Sequence, residues 1–165
     1  MNIPLPSVQD KLKDDISAAA ELTTEEKEDL YKYIDTLPGG NSLCHFDFHP
    51  GNIIMRDHQA VVIDWMTACV GDKLSDIART GVMLKYAEVP IKSKLIRKWI
   101  KRFQNGVYQA YIKEYIKHTG TDILDIEKWE YPIMAARLRE WVPESEKRIL
   151  INLVHACAKK YSCDY

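Results

Sequence analysis

Residues 43–65 read LCHFDFHPGNIIMRDHQAVVIDW, and this stretch restricts the architecture more than any other. Its apolar runs are Leu43-Cys44, Ile53-Ile54-Met55 and Ala60-Val61-Val62-Ile63. They are too short for helices and rich in β-branched residues, which suits strands. Arg56-Asp57-His58-Gln59 forms a polar connection of hairpin type between the last two. Pro50-Gly51 interrupts any helix at the centre, because proline lacks a donor and glycine accepts unusual dihedrals. His45, Asp47, His49, Asn52 and Asp64 are thereby carried on turns between short strands.

On both sides the periodicity becomes helical. Residues 1–6, with two prolines, should be extended. Val8, Leu12, Ile16 and Ala20 then recur every four residues behind Ser7, which suits an N-cap. A second helix starts at Thr23 or Thr24, where Thr23 and Glu26 form a capping box; Leu30, Tyr33 and Ile34 line its apolar face. Pro38-Gly39-Gly40-Asn41 ends it. After the central stretch, residues 72–86 form a helix interrupted mildly by Gly81, and Glu88-Val89-Pro90 is a break. From Ile91 a long helix carries Leu95, Trp99, Phe103, Val107, Tyr111 and Tyr115 in an unbroken i+4 stripe, expected to face the core. Gly120 ends that helix. Residues 123–138 form another, with Pro132 as a kink or break, and Pro143-Glu144 opens the last, which runs to about Tyr161. The expected class is α+β, predominantly α: one domain over 1–165, a helical bundle with a small β-hairpin.

Composition removes several functions. The chain has 165 residues and a net charge of -1, so bulk charge points neither to nucleic acid nor to an anionic membrane. No apolar run approaches the ~20 residues of a membrane span, and the N-terminus lacks the pattern of a secretory signal. Cys44, Cys69, Cys157 and Cys163 match no zinc or CxxC spacing, so free thiols in a reducing, cytoplasmic setting are expected. The basic run Lys92, Lys94, Arg97, Lys98, Lys101 and Arg102 suits the solvated side of the long helix better than a nucleic-acid face.

His45, Asp47 and Asn52 follow the spacing His-x-Asp-x-x-x-x-Asn, and Asp64 closes the next apolar run. Phosphoryl transfer needs magnesium against the phosphates and a carboxylate to orient and deprotonate the attacking hydroxyl. Magnesium takes hard oxygen ligands, using one or two carboxylates and keeping several waters. Asn52 and Asp64 offer such oxygens, and Asp47 is left for the acceptor. A transition-metal site on His45 and His49 with Cys44 and Asp47 is the competing reading. Pro50-Gly51 opposes the helix that His-x-x-x-His would need, and nearby oxygen donors suit magnesium better. Glu127, Glu130, Glu140, Glu144 and Glu146 could bind a cationic acceptor or form polar helix faces. Trp65, Trp99, Trp129 and Trp141 could stack on a ligand, with core packing the default for each.

HFDFHPGN, then VVIDW, then GDKLSDIAR resembles the aminoglycoside phosphotransferase and choline kinase-like superfamily, whose members share a protein kinase-like fold. Their pattern is His-Gly-Asp-x-His-Pro-x-Asn, Ile-Asp-Trp or Ile-Asp-Phe, and Gly-Asp-Pro-x-x-Asp-Leu-Ala. The resemblance implies a C-terminal lobe that transfers the γ-phosphoryl group of ATP or GTP, with Mg2+, to a small-molecule hydroxyl such as an aminoglycoside or choline. It implies Asp47 as catalytic base, Asn52 and Asp64 as metal ligands at the nucleotide, His45 as loop support, and Asp76 as a buttress through backbone hydrogen bonds. His49 is placed near phosphate or substrate. Phe46 replaces the usual glycine, Met66 an acidic residue, and Lys73 a proline.

About 42 residues precede the loop, and they read as helices, without a glycine-rich loop or a Val-Ala-x-Lys strand. An N-terminal lobe is therefore not expected within this chain. A fragment, a truncated product and a natural half-kinase all fit, and a non-catalytic interaction module is the alternative to an enzyme. A separate lobe or a homodimer is the partner expected at the exposed apolar surface.

Overall fold

The computed structural model describes residues 4–89 and 91–161. Pro90 of the expected break and Cys163 lie outside the described residues. Helix α1 (Val8–Ser17) starts at Ser7, whose side chain accepts from the Asp10 amide, and it buries Val8, Leu12 and Ile16. It stops sooner than the apolar repeat, so Ala20 is exposed and Ala19 takes the buried place. Helix α2 (Thr24–Thr36) has the full reciprocal capping box between Thr23 and Glu26.

Strand β1 (Ser42–Cys44) leads into the central loop, and β2 (Ile53–Arg56) and β3 (Gln59–Val62) form the expected hairpin. Its two turn residues, Asp57 and His58, have φ of 47° and 63°. Positive φ at both is the type I′ geometry, which matches the twist of the flanking strands. A further strand, β4 (Cys69–Gly71), is absent from the sequence reading. It pairs antiparallel with β1, Cys44 opposite Cys69, and the two remain free, buried thiols. The extended segment before α1 joins the edge of β4, where the Val70 amide donates to the Pro6 carbonyl at 2.9 Å. A Cβ on Gly71 would lie 2.5 Å from the Val8 side chain, so this close crossing requires glycine.

Helix α3 (Lys73–Tyr86) runs unbroken through Gly81, and α4 (Lys94–Thr119) ends on Gly120 at φ 69°. Helix α5 (Ile123–Arg137) continues through Pro132, and α6 (Glu144–Tyr161) closes the described chain. Helix α5 is the centre of the bundle: it packs on α1, α2, α3 and α6. From Trp129 to Arg137 every residue is buried. Because α5 is covered all round from Trp129 onward, that part has no polar face for periodicity to reveal.

The α4 stripe departs most from expectation. Leu95, Trp99 and Phe103 are 68%, 67% and 73% exposed. Only Ile112 of α4 is fully buried, and α4 packs mainly on α3. The repeat identifies one helix face correctly, but its N-terminal half projects beyond the bundle. Of the four tryptophans only Trp129 is core; Trp65, Trp99 and Trp141 are exposed. Trp129→Ala should therefore lower unfolding stability by about 3–5 kcal/mol, whereas Trp99→Ala should stay within about 0.5 kcal/mol of the parent. Urea unfolding of both variants checks this, and equal losses would contradict the burial pattern.

Candidate active-site loop

The loop between β1 and β2 is held mainly by its backbone. Asp76, on the first turn of α3, receives the His45 amide at 3.0 Å on one carboxylate oxygen and the Phe46 amide at 2.8 Å on the other. The loop carbonyls are held in the same way. The Thr67 hydroxyl donates to His45 O at 2.8 Å, Arg79 Nε to Phe46 O at 3.2 Å, and the Thr80 hydroxyl to Phe48 O at 2.9 Å. Asp76, Arg79 and Thr80 stand at i, i+3 and i+4 and so share one face of α3. The sequence reading found Asp76 and missed Arg79, Thr80 and Thr67. The spacing on α3 was the available signal.

His45 is buried, and both ring nitrogens are used. Nδ1 accepts from the Asp47 amide at 3.2 Å, and Nε2 lies 2.9 Å from the Ile63 carbonyl. A carbonyl only accepts, so the proton sits on Nε2 and the ring ties the loop to the end of β3. Trp65 packs on that ring at 4.6 Å between centroids. Phe48, also near His45, packs toward Tyr111 at 6.4 Å, and burial pushes the Tyr111 phenol up to about 12. With its nitrogens engaged, His45 has no lone pair for a metal, and no cluster of His, Cys, Asp and Glu suited to a metal occurs among the described residues. The transition-metal reading is set aside by this geometry.

Asp47 and Asn52 are directly joined. Asn52 Nδ2 donates to the Asp47 carbonyl at 2.9 Å and to Asp47 Oδ2 at 3.1 Å. This leaves Asn52 Oδ1 and Asp47 Oδ1 without hydrogen bonds among the described residues. His49 turns its Nδ1 inward to the Gly51 amide at 3.1 Å, and its Nε2 lies 3.7 Å from Asp47 Oδ2. The Ile63 amide donates to the Asn52 carbonyl at 3.0 Å, so β3 delivers Asp64 beside Asn52. Asp64 adopts a left-handed conformation (φ 62°, ψ 61°), and its exposed carboxylate has no partner among the described residues. The open oxygens of Asn52 and Asp64 are hard donors of the kind magnesium takes, few enough to leave room for water and phosphate.

The three departures from the family pattern have positional explanations. Phe46 has φ 62°, where a residue with a side chain is strained and glycine is not. Its ring is nonetheless buried, between Lys11 Nζ and Arg79 Cζ, each 6.0 Å from the centroid. Lys73 is the first residue of α3, the position proline favours, with the Asp72 side chain capping the Leu74 amide at 2.9 Å. Met66 is almost fully exposed.

The acidic residues weighed for a cationic acceptor are mostly committed elsewhere. Glu140 pairs with Arg79 through one oxygen and with Arg137 at 2.6 Å through the other. Glu146 is buried, accepting from Arg137 Nε at 2.7 Å and from the Glu88 amide at 2.8 Å. Glu130 is buried against Lys85 Nζ at 2.6 Å, and its carboxylate holds the lysine above its ordinary range despite the cost of burial. These three glutamates are structural.

A sequence model of the phosphotransferase enzyme family (APH) matches residues 4–125, from the segment before α1 to the start of α5. The chain belongs to that family and has a phosphotransferase-like domain. No curated protein and no solved structure matched it. No helix among the described residues is long and apolar enough to cross a membrane.

Two substitutions test the construction of the loop. Asp76→Ala leaves two buried amides unsatisfied and should cost about 2–5 kcal/mol, while Asp47→Ala should cost about 1 kcal/mol or less. Phe46→Gly relieves a left-handed residue, worth about 1–2 kcal/mol, but removes a buried ring worth about 3–5 kcal/mol. The ring wins, so the glycine variant should unfold at lower urea. A more stable Phe46→Gly would show that backbone strain dominates at this position.

Proposed function

We propose that this chain transfers the γ-phosphoryl group of a nucleoside triphosphate, ATP or GTP, to a hydroxyl of a small molecule. The supporting observation is the Asp47–Asn52 clamp. One amide nitrogen fixes the carboxylate of Asp47 while leaving one oxygen of each side chain open. Asp47 Oδ1 accepts the proton of the acceptor hydroxyl as its oxygen bonds to phosphorus, and the bond from phosphorus to the leaving nucleoside diphosphate breaks. Magnesium, when held by Asn52 and Asp64, supplies charge neutralisation at the phosphates. His49 Nε2 faces the same carboxylate and is available to the transferring group or the acceptor. A cytoplasmic setting would supply both the nucleotide and the reduced thiols.

The acceptor has a place to sit. A cavity of about 420 Å³ opens at Asp47, with Phe46, Thr67, Lys11, Arg139 and Trp141 in its wall. Asp15 in the same wall is paired with Arg139 and lies 3.6 Å from Lys11. Positive and negative groups therefore neutralise one another around the cavity. That balance favours a hydroxylated acceptor of small net charge over a polycation, and the exposed Trp141 ring offers it a flat apolar surface.

Phosphate transfer measured with magnesium, ATP or GTP and a panel of hydroxyl compounds tests this reading. Asp47→Asn should lower turnover roughly 100-fold or more with little change in nucleotide affinity. Asp64→Ala should abolish magnesium-dependent nucleotide binding. Full turnover in Asp47→Asn would refute the assignment, as would an absence of magnesium-nucleotide binding by calorimetry at millimolar nucleotide.

A further inference from the structure

The N-terminal half of α4 carries two adjacent rows. Lys94, Lys98 and Arg102 form one; Leu95, Trp99 and Phe103 form the other, one residue further on. All six side chains are exposed. None of the three cations has an ion pair or hydrogen bond among the described residues, whereas their neighbours on the inner side are engaged. Arg97 donates to the Ile91 carbonyl at 3.0 Å, and Lys101 Nζ lies 3.8 Å from a Glu88 carboxylate oxygen. No aspartate or glutamate occurs from Ile91 to Lys113. The fold gains nothing from the outer rows, because α4 is anchored further along, where Ile112 is buried and Tyr108, Tyr111 and Tyr115 pack against the core.

We propose that this face of α4 docks the protein on an anionic membrane surface. An interfacial helix needs an apolar row that enters the headgroup boundary and basic side chains that meet lipid phosphates, with tryptophan favoured at that depth. Those requirements are met here on one exposed face. Charge complementarity supplies the partner: a local excess of unpaired cations, hidden by the whole chain's net charge of -1, faces an anionic leaflet. Geometry separates this partner from its rivals. A protein that wraps a basic amphipathic helix would need all of its sides, and the inner side is engaged where Lys101 meets Glu88 and Gln104 donates to the Ala87 carbonyl at 3.0 Å. Duplex nucleic acid, with its bases stacked inside, would use the cations but draws nothing from an exposed row of leucine, tryptophan and phenylalanine. A lipid surface needs only the face that is free. The helix lies on such a surface and does not span it.

Flotation of the whole chain with vesicles of phosphatidylcholine, with or without phosphatidylserine, tests the proposal. The chain should float with the anionic vesicles, less as salt rises, and hardly at all with the neutral ones. Neutralising two cations in Lys98→Gln/Arg102→Gln should weaken partitioning roughly 30-fold. Trp99→Ala/Phe103→Ala should weaken it roughly tenfold or more, through lost apolar insertion. Both pairs are exposed, so an unchanged thermal melt confirms that the variants fold. Equal partitioning into neutral and anionic vesicles would overturn the proposal. So would undiminished binding in the Trp99/Phe103 variant, or tighter binding to duplex DNA or an acidic protein than to the anionic vesicles.

Discussion

The carboxylate of Asp76 is the interaction on which the candidate site depends. The backbone between β1 and β2 has no strand partner through its turn, so its amides need acceptors from elsewhere. Asp76 supplies two oxygens to two consecutive buried amides. Charge-assisted bonds of this kind are stronger than neutral ones, and losing the acceptor leaves both amides desolvated and unpaired. Arg79, Thr80 and Thr67 complete the set by donating to carbonyls of the same loop. The loop's shape is therefore imposed largely by one helix face, and α3 is in turn packed against the buried α5.

Arg79 also explains how a guanidinium can sit in this interior. It shares Glu140 with Arg137, and Arg137 continues to Glu146, whose second oxygen takes the Glu88 amide. Such buried charges gain little over an apolar replacement of equal volume, but removing one member strands the others at several kcal/mol. The series is thus better understood as fixing positions than as adding stability. It ties the loop, α5, the start of α6 and the segment after α3 into one geometry.

Local features of this fold were legible in the sequence. The Ser7 cap, the Thr23–Glu26 box, the hairpin over residues 53–62 and the Gly120 stop each depend on residues within a few positions of one another. The motif residues His45, Asp47, Asn52, Asp64 and Asp76 were legible because their spacing is itself the pattern. What depends on distant partners was not. Strand β4 exists because β1 and the Pro6 carbonyl flank Cys69-Val70-Gly71, a segment with no alternation of its own. Helix α5 hides its role because its C-terminal half, from Trp129, is covered on every side. The α4 stripe shows a different limit: periodicity reports which residues share a face, and only the packing of other helices decides whether that face is covered.

Asp64 and Asp47 contrast with the residues around them. His45, Asp76, Arg79 and Thr80 are each tied to the main chain, so a substitution there is felt first as a loss of folding. Among the described residues Asp64 has a bare carboxylate, and Asp47 gives its side chain only to Asn52 and, at 3.7 Å, to His49. Under the proposed phosphoryl transfer, scaffold and chemistry would fall to different side chains of one short segment. A chain of this design would lose that proposed reactivity without losing its shape, and a stability screen would be blind to the loss. Correct folding of a variant is then no guide to whether its chemistry survives.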